Sequence, residues 1–141
     1  MTCKSALSYL DSLNESRIKP GLGRICEALN ALGSPQSEFP HLLVGGTNGK
    51  GSVVSFMGAA LQLAGYRPGL FTSPHLTCFT ERIAVGDRPS TVGELSVLVK
   101  SVRDTGVELT YFEFATVLAV LFFATQRVDL AVLEVGMGGE W

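Results

Sequence analysis

Cysteine is scarce in this sequence, and the three that occur, Cys3, Cys26 and Cys78, are widely spaced. An odd number of distant cysteines indicates neither a disulfide framework nor a zinc site, so we expect free thiols. Long apolar runs are also missing, since none reaches the roughly 18 residues of a membrane helix. Residues 1–10 lack the apolar core of a secretory signal. We therefore expect a cytoplasmic protein with no membrane partner.

An excess of positive charge is missing too. The formal net charge is −2 and the pI is about 5.6, so no basic field recruits nucleic acid, and we expect no nucleic-acid partner. What the chain has in quantity is apolar residues, 46% of the total, and 16 glycines. This composition favours an α/β domain with a buried sheet over a disordered or membrane chain. The length of 141 residues is enough for one core and too little for two ordinary domains.

The stretch HLLVGGTNGKGS, residues 41–52, predicts a strand, a turn and a helix in succession. His41–Val44 is a short apolar run, which predicts a buried strand. Small and turn-forming residues follow at 45–48, and a helical pattern begins with Gly49. The apolar positions of that pattern are Val53, Phe56, Met57, Ala60, Leu61 and Ala64.

A glycine-rich turn at the start of a helix can hold polyphosphate. Glycines let backbone amides face inward, and the helix start adds unpaired N–H groups. Lys50 would reach the terminal phosphates, and Ser52 would lie near a magnesium ion. The standard pattern GxxxxGK[ST] fails, because Val44 replaces its first glycine and Gly51 follows the lysine. The dinucleotide pattern GxGxxG fits less well, and a turn with a solvated lysine remains the alternative without function.

A carboxylate interrupts the last apolar run. Asp129–Val135, DLAVLEV, predicts a buried strand that carries Glu134 just before the glycine turn at 136–139. A buried acidic side chain is costly unless a cation meets it. Magnesium is the natural partner, because in phosphate-loop enzymes a carboxylate at a strand end holds the ion opposite the hydroxyl of the loop.

Helices and strands alternate through the rest of the chain. Helices are predicted over Lys4–Asn14 and Leu22–Leu32, a strand over Pro68–Thr72, and a polar excursion over Ser73–Arg82. Thr91–Glu94 and Thr110–Glu113 both have the form of a capping box, which predicts a helix after each. The second box contains Tyr111 and Phe112, which leaves two interpretations open: capping alone, or capping together with ligand contact.

Four motifs together make the sequence resemble the amino-terminal part of folylpolyglutamate synthases and dihydrofolate synthases, within the Mur ligase superfamily. They are VGGTNGKGS, FTSPHL followed by ERI, TYFEFAT and LEVGMGG, in that order over about residues 9–139. The resemblance implies a P-loop type, mostly parallel sheet flanked by helices. It also implies that residues 1–141 form a partial ATP-binding domain, truncated and without the carboxyl-terminal domain.

The resemblance implies an ATP-dependent ligase. ATP would phosphorylate the carboxylate of a folate or dihydropteroate, and the amine of L-glutamate would attack the acyl phosphate. The expected cofactors are ATP and Mg2+, the expected partners are these small molecules, and a monomer is expected. Because the family's later histidine, its modified lysine and its carboxyl-terminal domain lie beyond Trp141, we expect this piece to be inactive alone.

The resemblance also assigns residues by position. The ATP loop corresponds to Gly46, Thr47, Asn48, Gly49, Lys50, Gly51 and Ser52, with Lys50 as the catalytic residue. The magnesium ligands correspond to Ser73 and Glu134. The pterin-binding segments correspond to Pro20, Gly21 and Leu22 and to Thr110, Tyr111, Phe112 and Glu113. Pro20 stands where the family commonly has leucine, and Glu140 and Trp141 replace its usual continuation.

Two other hypotheses remain at this point. A cell-wall ligase of the same superfamily would share the phosphate loop, but TYFEFAT and TSPHL argue against it. A truncated paralogue could bind nucleotide or pterin without catalysis. The gene beyond Trp141 would separate these hypotheses, because a continuing frame with the missing histidine and lysine supports an enzyme.

Overall fold

The computed structural model describes residues 8–10, 12–13 and 19–136, which form helices and strands in alternation. The helices are α1 (Gly23–Ala31), α2 (Lys50–Leu63), α3 (Val92–Asp104) and α4 (Tyr111–Gln126). The strands are β1 (His41–Val44), β2 (Pro68–Phe71), β3 (Ile83–Val85), β4 (Arg88–Pro89) and β5 (Leu130–Glu134). Short 3-10 helices lie at Pro35–Glu38 and Phe79–Arg82. Most of the predicted helix Lys4–Asn14 lies outside the described residues, although 8–10 and 12 are helical.

The five strands form one mixed sheet in the order β1-β5-β2-β3-β4. β5 pairs in parallel with β1 on one side and with β2 on the other, while β2, β3 and β4 pair antiparallel. The registers Val44↔Glu134 and Phe71↔Leu133 align the carboxyl ends of the three parallel strands. The loops that follow β1, β2 and β5 therefore leave the sheet at one edge, which is where open α/β sheets bind ligands.

Helices cover both faces of the sheet. Consecutive residues of a strand point to opposite faces. A Cβ at Gly58 of α2 would lie 2.6 Å from the Leu70 side chain, and a Cβ at Gly69 would lie 2.7 Å from the ring of Phe123 in α4. Residues 69 and 70 are neighbours in β2, so α2 lies on one face and α4 on the other. This arrangement confirms the predicted flanked, mostly parallel sheet.

The main core gathers around α4. Eleven of its residues are buried, including Phe114, Leu118 and Phe122, and it packs against α1, α3 and the sheet. A smaller cluster of Val44, Val54 and Val132 lies under α2. Among the described residues, no helix is long and apolar enough to cross a lipid bilayer. The strongly apolar sequence of α4 is therefore explained by burial inside the domain.

The prediction that His41–Val44 is a buried strand is half wrong. The strand forms with those bounds, but only Val44 is buried, while Leu42 is 44% and Leu43 67% exposed. The reason is the position of β1 at the end of the strand order, which the local sequence does not reveal. Val53 and Phe56 of α2 are exposed as well.

Most other predicted elements are confirmed. Leu22–Leu32 contains α1, and both capping boxes begin helices. The predicted strands at Pro68–Thr72 and Asp129–Val135 are observed with ends trimmed by one residue. Cys26 and Cys78 are free thiols, as expected, and Cys3 lies outside the described residues.

Candidate active site

The glycine turn between β1 and α2 has the backbone that its sequence requires. Gly49 is the residue that caps α2, and its φ of 79° lies in the left-handed region that favours glycine. Gly46 also has a positive φ, 144°. The Val53 amide donates to the Gly49 carbonyl at 3.0 Å, so the helix begins directly at the turn. The first N–H groups of α2 have no partner within the helix. The helix start that carries them lies at the edge of the sheet where β1, β2 and β5 end.

Lys50 bends back over this turn. Its Nζ donates to the Gly46 carbonyl oxygen at 2.9 Å. Gly46, Thr47 and Lys50 line a cavity of about 280 Å3, which Val135 and Gly136 close from the end of β5. An ammonium group beside a glycine turn at a helix start is chemically suited to binding an anion.

Ser73 and Glu134 lie next to each other at the same edge. The Ser73 amide donates to Oε2 of Glu134 at 2.8 Å, and Glu134 is only 6% exposed. A Cβ at Gly51, in the first turn of α2, would lie 3.6 Å from that same Oε2. The loops after β1, β2 and β5 therefore meet at one carboxylate. The glycine turn, Ser73 and Glu134 are therefore brought close together in the fold.

This donor chemistry fits a magnesium ion. Magnesium prefers oxygen ligands and usually takes only one or two protein carboxylates, with water and phosphate supplying the rest. Glu134 offers a buried carboxylate, and Ser73 lies directly beside that carboxylate. Within the described part of the chain, no three His, Cys, Asp or Glu side chains cluster as a self-sufficient metal site. A magnesium ion held here would take its remaining ligands from water or phosphate.

The two segments assigned to the pterin are linked through the side chain of Arg24, which belongs to neither of them. In the second capping box, the Thr110 amide donates to Glu113 Oε2 at 2.8 Å and the Glu113 amide donates to Thr110 Oγ1 at 3.4 Å. Arg24, two residues after the loop Pro20–Leu22, donates two hydrogen bonds from Nε and one from Nη2 to the Glu113 carboxylate. Arg24, which also donates to the Lys19 carbonyl, therefore links the residues flanking Pro20–Leu22 to the second capping box.

Phe112 connects the second box to the phosphate cavity. Its ring centroid lies 5.9 Å from that of Phe71, at the end of β2. A Cβ on Gly136, which lines the cavity, would come within 2.6 Å of the Phe112 ring. The ring thus packs directly on the backbone of the turn after β5. Tyr111 points another way, with its ring 6.2 Å from that of Phe79.

Two arginines of this region were not predicted. Arg82 is buried, donates from Nε to His75 Nδ1 at 2.8 Å and lies over the Tyr111 ring at 5.1 Å. Arg24 makes the bonds to Glu113. A signal for Arg24 exists in the sequence: it occupies the first turn of α1, where the helix dipole disfavours a cation unless an anion is near. That signal does not identify the anion.

The comparisons with known proteins agree with this geometry. No protein-family model matches the chain. The chain is 37% identical over 147 aligned residues to the dihydrofolate synthase/folylpolyglutamate synthase of Bacillus subtilis, covering 98% of the chain and 34% of that relative. It is 37% identical over 138 residues to the corresponding Escherichia coli protein, covering 96% and 32%. The chain thus spans about a third of the length of these relatives.

Solved structures of folylpolyglutamate synthases also resemble this chain. The folylpolyglutamate synthetase of Lactobacillus casei superposes with a TM-score of 0.91 at 34% identity, over 99% of this chain and 37% of that one. A complex of folylpolyglutamate synthase with AMPPCP and folate superposes with a TM-score of 0.92 at 35% identity, over 99% and 36%. The Mycobacterium tuberculosis enzyme complexed with ADP gives 0.90 at 34% identity, over 99% and 33%.

Proposed function

Because this chain is homologous to the amino-terminal portion of folylpolyglutamate and dihydrofolate synthases, we propose that it supplies the phosphate site of an ATP-dependent ligase. The ligase joins the amine of L-glutamate to a carboxylate of a folate or dihydropteroate. The observation that carries the proposal is the meeting of three loops, in which the glycine turn, the Lys50 ammonium and the Ser73–Glu134 pair lie at one edge of the sheet.

The reaction has two steps. The acceptor carboxylate attacks the γ-phosphorus of ATP and ADP leaves, which gives an acyl phosphate. The glutamate amine then attacks the acyl carbon, phosphate leaves, and the nitrogen loses a proton. Amides of the turn bind the phosphate oxygens, and Lys50 exchanges the Gly46 carbonyl for the terminal phosphate. Glu134 and Ser73 would hold Mg2+, which when bound offsets the negative charge of the phosphates.

We assign the remaining residues by their place around this cavity. Gly46 to Ser52 hold the nucleotide, and Leu22 and Phe112 contact the pterin. Phe112 is suited to that role because its ring packs on Gly136, at the wall of the phosphate cavity. Glu113 supports the site, since its oxygens already accept hydrogen bonds from Arg24 and Thr110.

We also propose that the 141 residues alone bind nucleotide without turnover, because the chain covers only about a third of its relatives. Glutamate-dependent ADP release by the isolated chain would contradict this. The reported relatives are folate ligases, so they give no support to the cell-wall alternative.

Replacing Lys50 tests the proposed function. In the whole protein that carries this sequence, Lys50→Ala should lower the rate of glutamate-dependent ADP release by about 100-fold or more, because one preorganised charge at a transferring phosphate is worth that much. The melting temperature should stay unchanged, since the amine makes one hydrogen bond to an exposed turn. Lys100→Ala is the matched control, because Lys100 is an exposed helix lysine whose amine pairs with Asp104, away from the glycine turn. Equal activity of the two variants would remove Lys50 from the site.

A further inference from the structure

Arg24 joins two segments that lie far apart in the sequence. Its Nη2 donates to the Lys19 carbonyl at 2.7 Å and to Glu113 Oε1 at 2.6 Å, while its Nε lies 3.1 and 3.2 Å from the two oxygens of Glu113. Lys19 begins the loop that contains Pro20–Leu22, and Glu113 lies in the first turn of α4. One guanidinium therefore joins a loop to a helix start, and Arg24 itself lies 89 residues before Glu113.

The carboxylate in this pair is fully engaged. Glu113 is 6% exposed, and both of its oxygens accept hydrogen bonds from Arg24, with a further one from the Thr110 amide. Burial alone would raise the pKa of Glu113, but the bonds from Arg24 and Thr110 outweigh it and hold the pKa below its usual value. A carboxylate so occupied is better suited to support a site than to bind a ligand directly.

The loop that Arg24 holds presents an apolar side chain to solvent. Leu22 is 55% exposed, and Gly21 before it has a φ of 104°, which only glycine adopts easily. On the other side of the ion pair, Phe112 is half-buried beside the phosphate cavity. These two apolar groups flank the ion pair along the chain, so the Arg24–Glu113 geometry determines how they are placed relative to each other.

We propose that Arg24 is a positioning residue for the pterin-bearing acceptor: through Glu113 it holds the loop at Pro20–Leu22 against the start of α4. This inference rests on the proposed function, which assigns those two segments to the acceptor. The inference extends the acceptor site to Arg24, which lies outside both segments. It also assigns Glu113 the role of anchoring Arg24. The planar fork of arginine is required, because a lysine ammonium cannot donate to two carboxylate oxygens and a carbonyl in that fixed geometry.

The experiment compares acceptor and nucleotide in the whole protein that carries this sequence. Arg24→Met keeps the apolar stem and removes the fork. Its Kd and KM for dihydropteroate or tetrahydrofolate should rise about tenfold, while the values for ATP change less than about twofold, because misplacing binding groups weakens the substrate they contact. Arg24→Lys should recover little of the loss. Glu113→Gln should give the same pattern, and it tests the proposal if Arg24→Met does not fold.

Arg88 provides the matched control. It binds Glu94 through two hydrogen bonds of 3.1 Å at the other capping box, so Arg88→Met removes the same chemical pair without touching either acceptor segment. Acceptor affinity should stay at the wild-type value in that variant. A lower melting temperature in Arg24→Met without a change in acceptor Kd would overturn the positioning role.

Binding and turnover are measured separately, so that a failure of the proposed ligase activity can be distinguished from a failure of the role proposed for Arg24. A wild-type protein that binds the acceptor but never releases ADP sinks the proposed ligase, while the Kd series still decides on Arg24. A wild-type protein that turns over, with an Arg24→Met variant of unchanged acceptor Kd and KM, sinks the role of Arg24 alone. A wild-type protein that binds no pterin acceptor overturns both.

Discussion

The capping boxes at Thr91–Glu94 and Thr110–Glu113 share their polar chemistry. In both, the threonine amide donates to its glutamate at 2.8 Å, and the glutamate amide donates back to the threonine hydroxyl, at 3.2 Å in the first box and 3.4 Å in the second. In both, an arginine binds the carboxylate through at least two hydrogen bonds. Judged by hydrogen bonds alone, the two helix starts are equivalent.

They differ in burial and in the residues between the threonine and the glutamate. The carboxylate side chain is 30% exposed in Glu94 and 8% exposed in Glu113. The first box encloses Val92 and Gly93, whereas the second encloses two aromatic residues that pack on β2, on the turn after β5 and on the 3-10 helix. The arginine is six residues away in the first case and 89 in the second.

This difference shows what a local motif determines. The Thr-x-x-Glu pattern starts a helix in either place, and in the first box the carboxylate also binds Arg88, six residues away. The second box stands at the edge where the sheet ends, so the same carboxylate also fixes a distant loop and the same helix turn carries a ring to the phosphate cavity. The second box has this additional role because of its position in the fold, which the Thr-x-x-Glu motif does not specify.

The largest expected difference comes from adding a methyl group to Gly136, which contacts Phe112 of the second box, and to Gly93 of the first box. Gly136→Ala places a Cβ about 2.6 Å from the Phe112 ring, and overpacking of this kind costs about 1–3 kcal/mol of unfolding free energy. Because Gly136 lines the phosphate cavity, ATP affinity should fall as well. Calorimetric titration and chemical unfolding of the whole protein that carries this sequence measure the two effects.

Gly93→Ala is its control. Gly93 occupies the position of Phe112 in the first box, and the nearest atom to its added Cβ is 4.0 Å away. Alanine should therefore stabilise α3 by about 0.5–1 kcal/mol, with ATP affinity unchanged. Equal effects of the two substitutions would show that Phe112 does not pack on the cavity wall.

A smaller difference is expected when each carboxylate becomes an amide. Glu113→Gln leaves a buried amide facing the guanidinium of Arg24 and should lower the unfolding free energy by about 2–3 kcal/mol. Glu94→Gln should cost less than about 1 kcal/mol, because that ion pair is partly exposed and solvent screens it. Urea unfolding at pH 7 compares the two. A larger loss for Glu94→Gln would reverse our interpretation of the boxes.

The pH dependence of stability checks the ion pair of the first box. Hydrogen bonds from Arg88 and Thr91 lower the pKa of Glu94 from 4.5 to about 2. A carboxyl whose folded pKa is lowered stabilises the protein fully above its unfolded pKa and loses that effect as the pH falls through the folded pKa. The difference between wild type and Glu94→Gln should therefore be constant near neutral pH and shrink between about pH 4.5 and 2. A difference that grows in acid would contradict the ion pair.

Much of the fold could be predicted because its signals are local. Capping boxes, glycine stops and apolar periods lie within a few residues of the elements they specify, so α1, α3 and α4 appear where expected. The meeting of Ser73 and Glu134 with the glycine turn could also be predicted, because parallel strands bring their carboxyl ends to one edge.

Features set by strand order and by distant pairs could not be predicted. The exposure of Leu42 and Leu43 follows from the edge position of β1, which no residue of β1 encodes. The partner of Arg24 lies 89 residues away. The sequence predicts that Glu113 contacts substrate, and its hydrogen bonds with Arg24 and Thr110 became visible only in the three-dimensional arrangement.

The central claim is that Glu134 belongs to a magnesium-dependent phosphate site, and one binding measurement tests it most directly. A non-hydrolysable ATP analogue is titrated into the whole protein that carries this sequence, with and without Mg2+, for wild type and for Glu134→Gln, which keeps an acceptor for the Ser73 amide. We predict that Mg2+ strengthens binding by the wild type and has no such effect in the variant. The same magnesium dependence in both proteins would contradict the account.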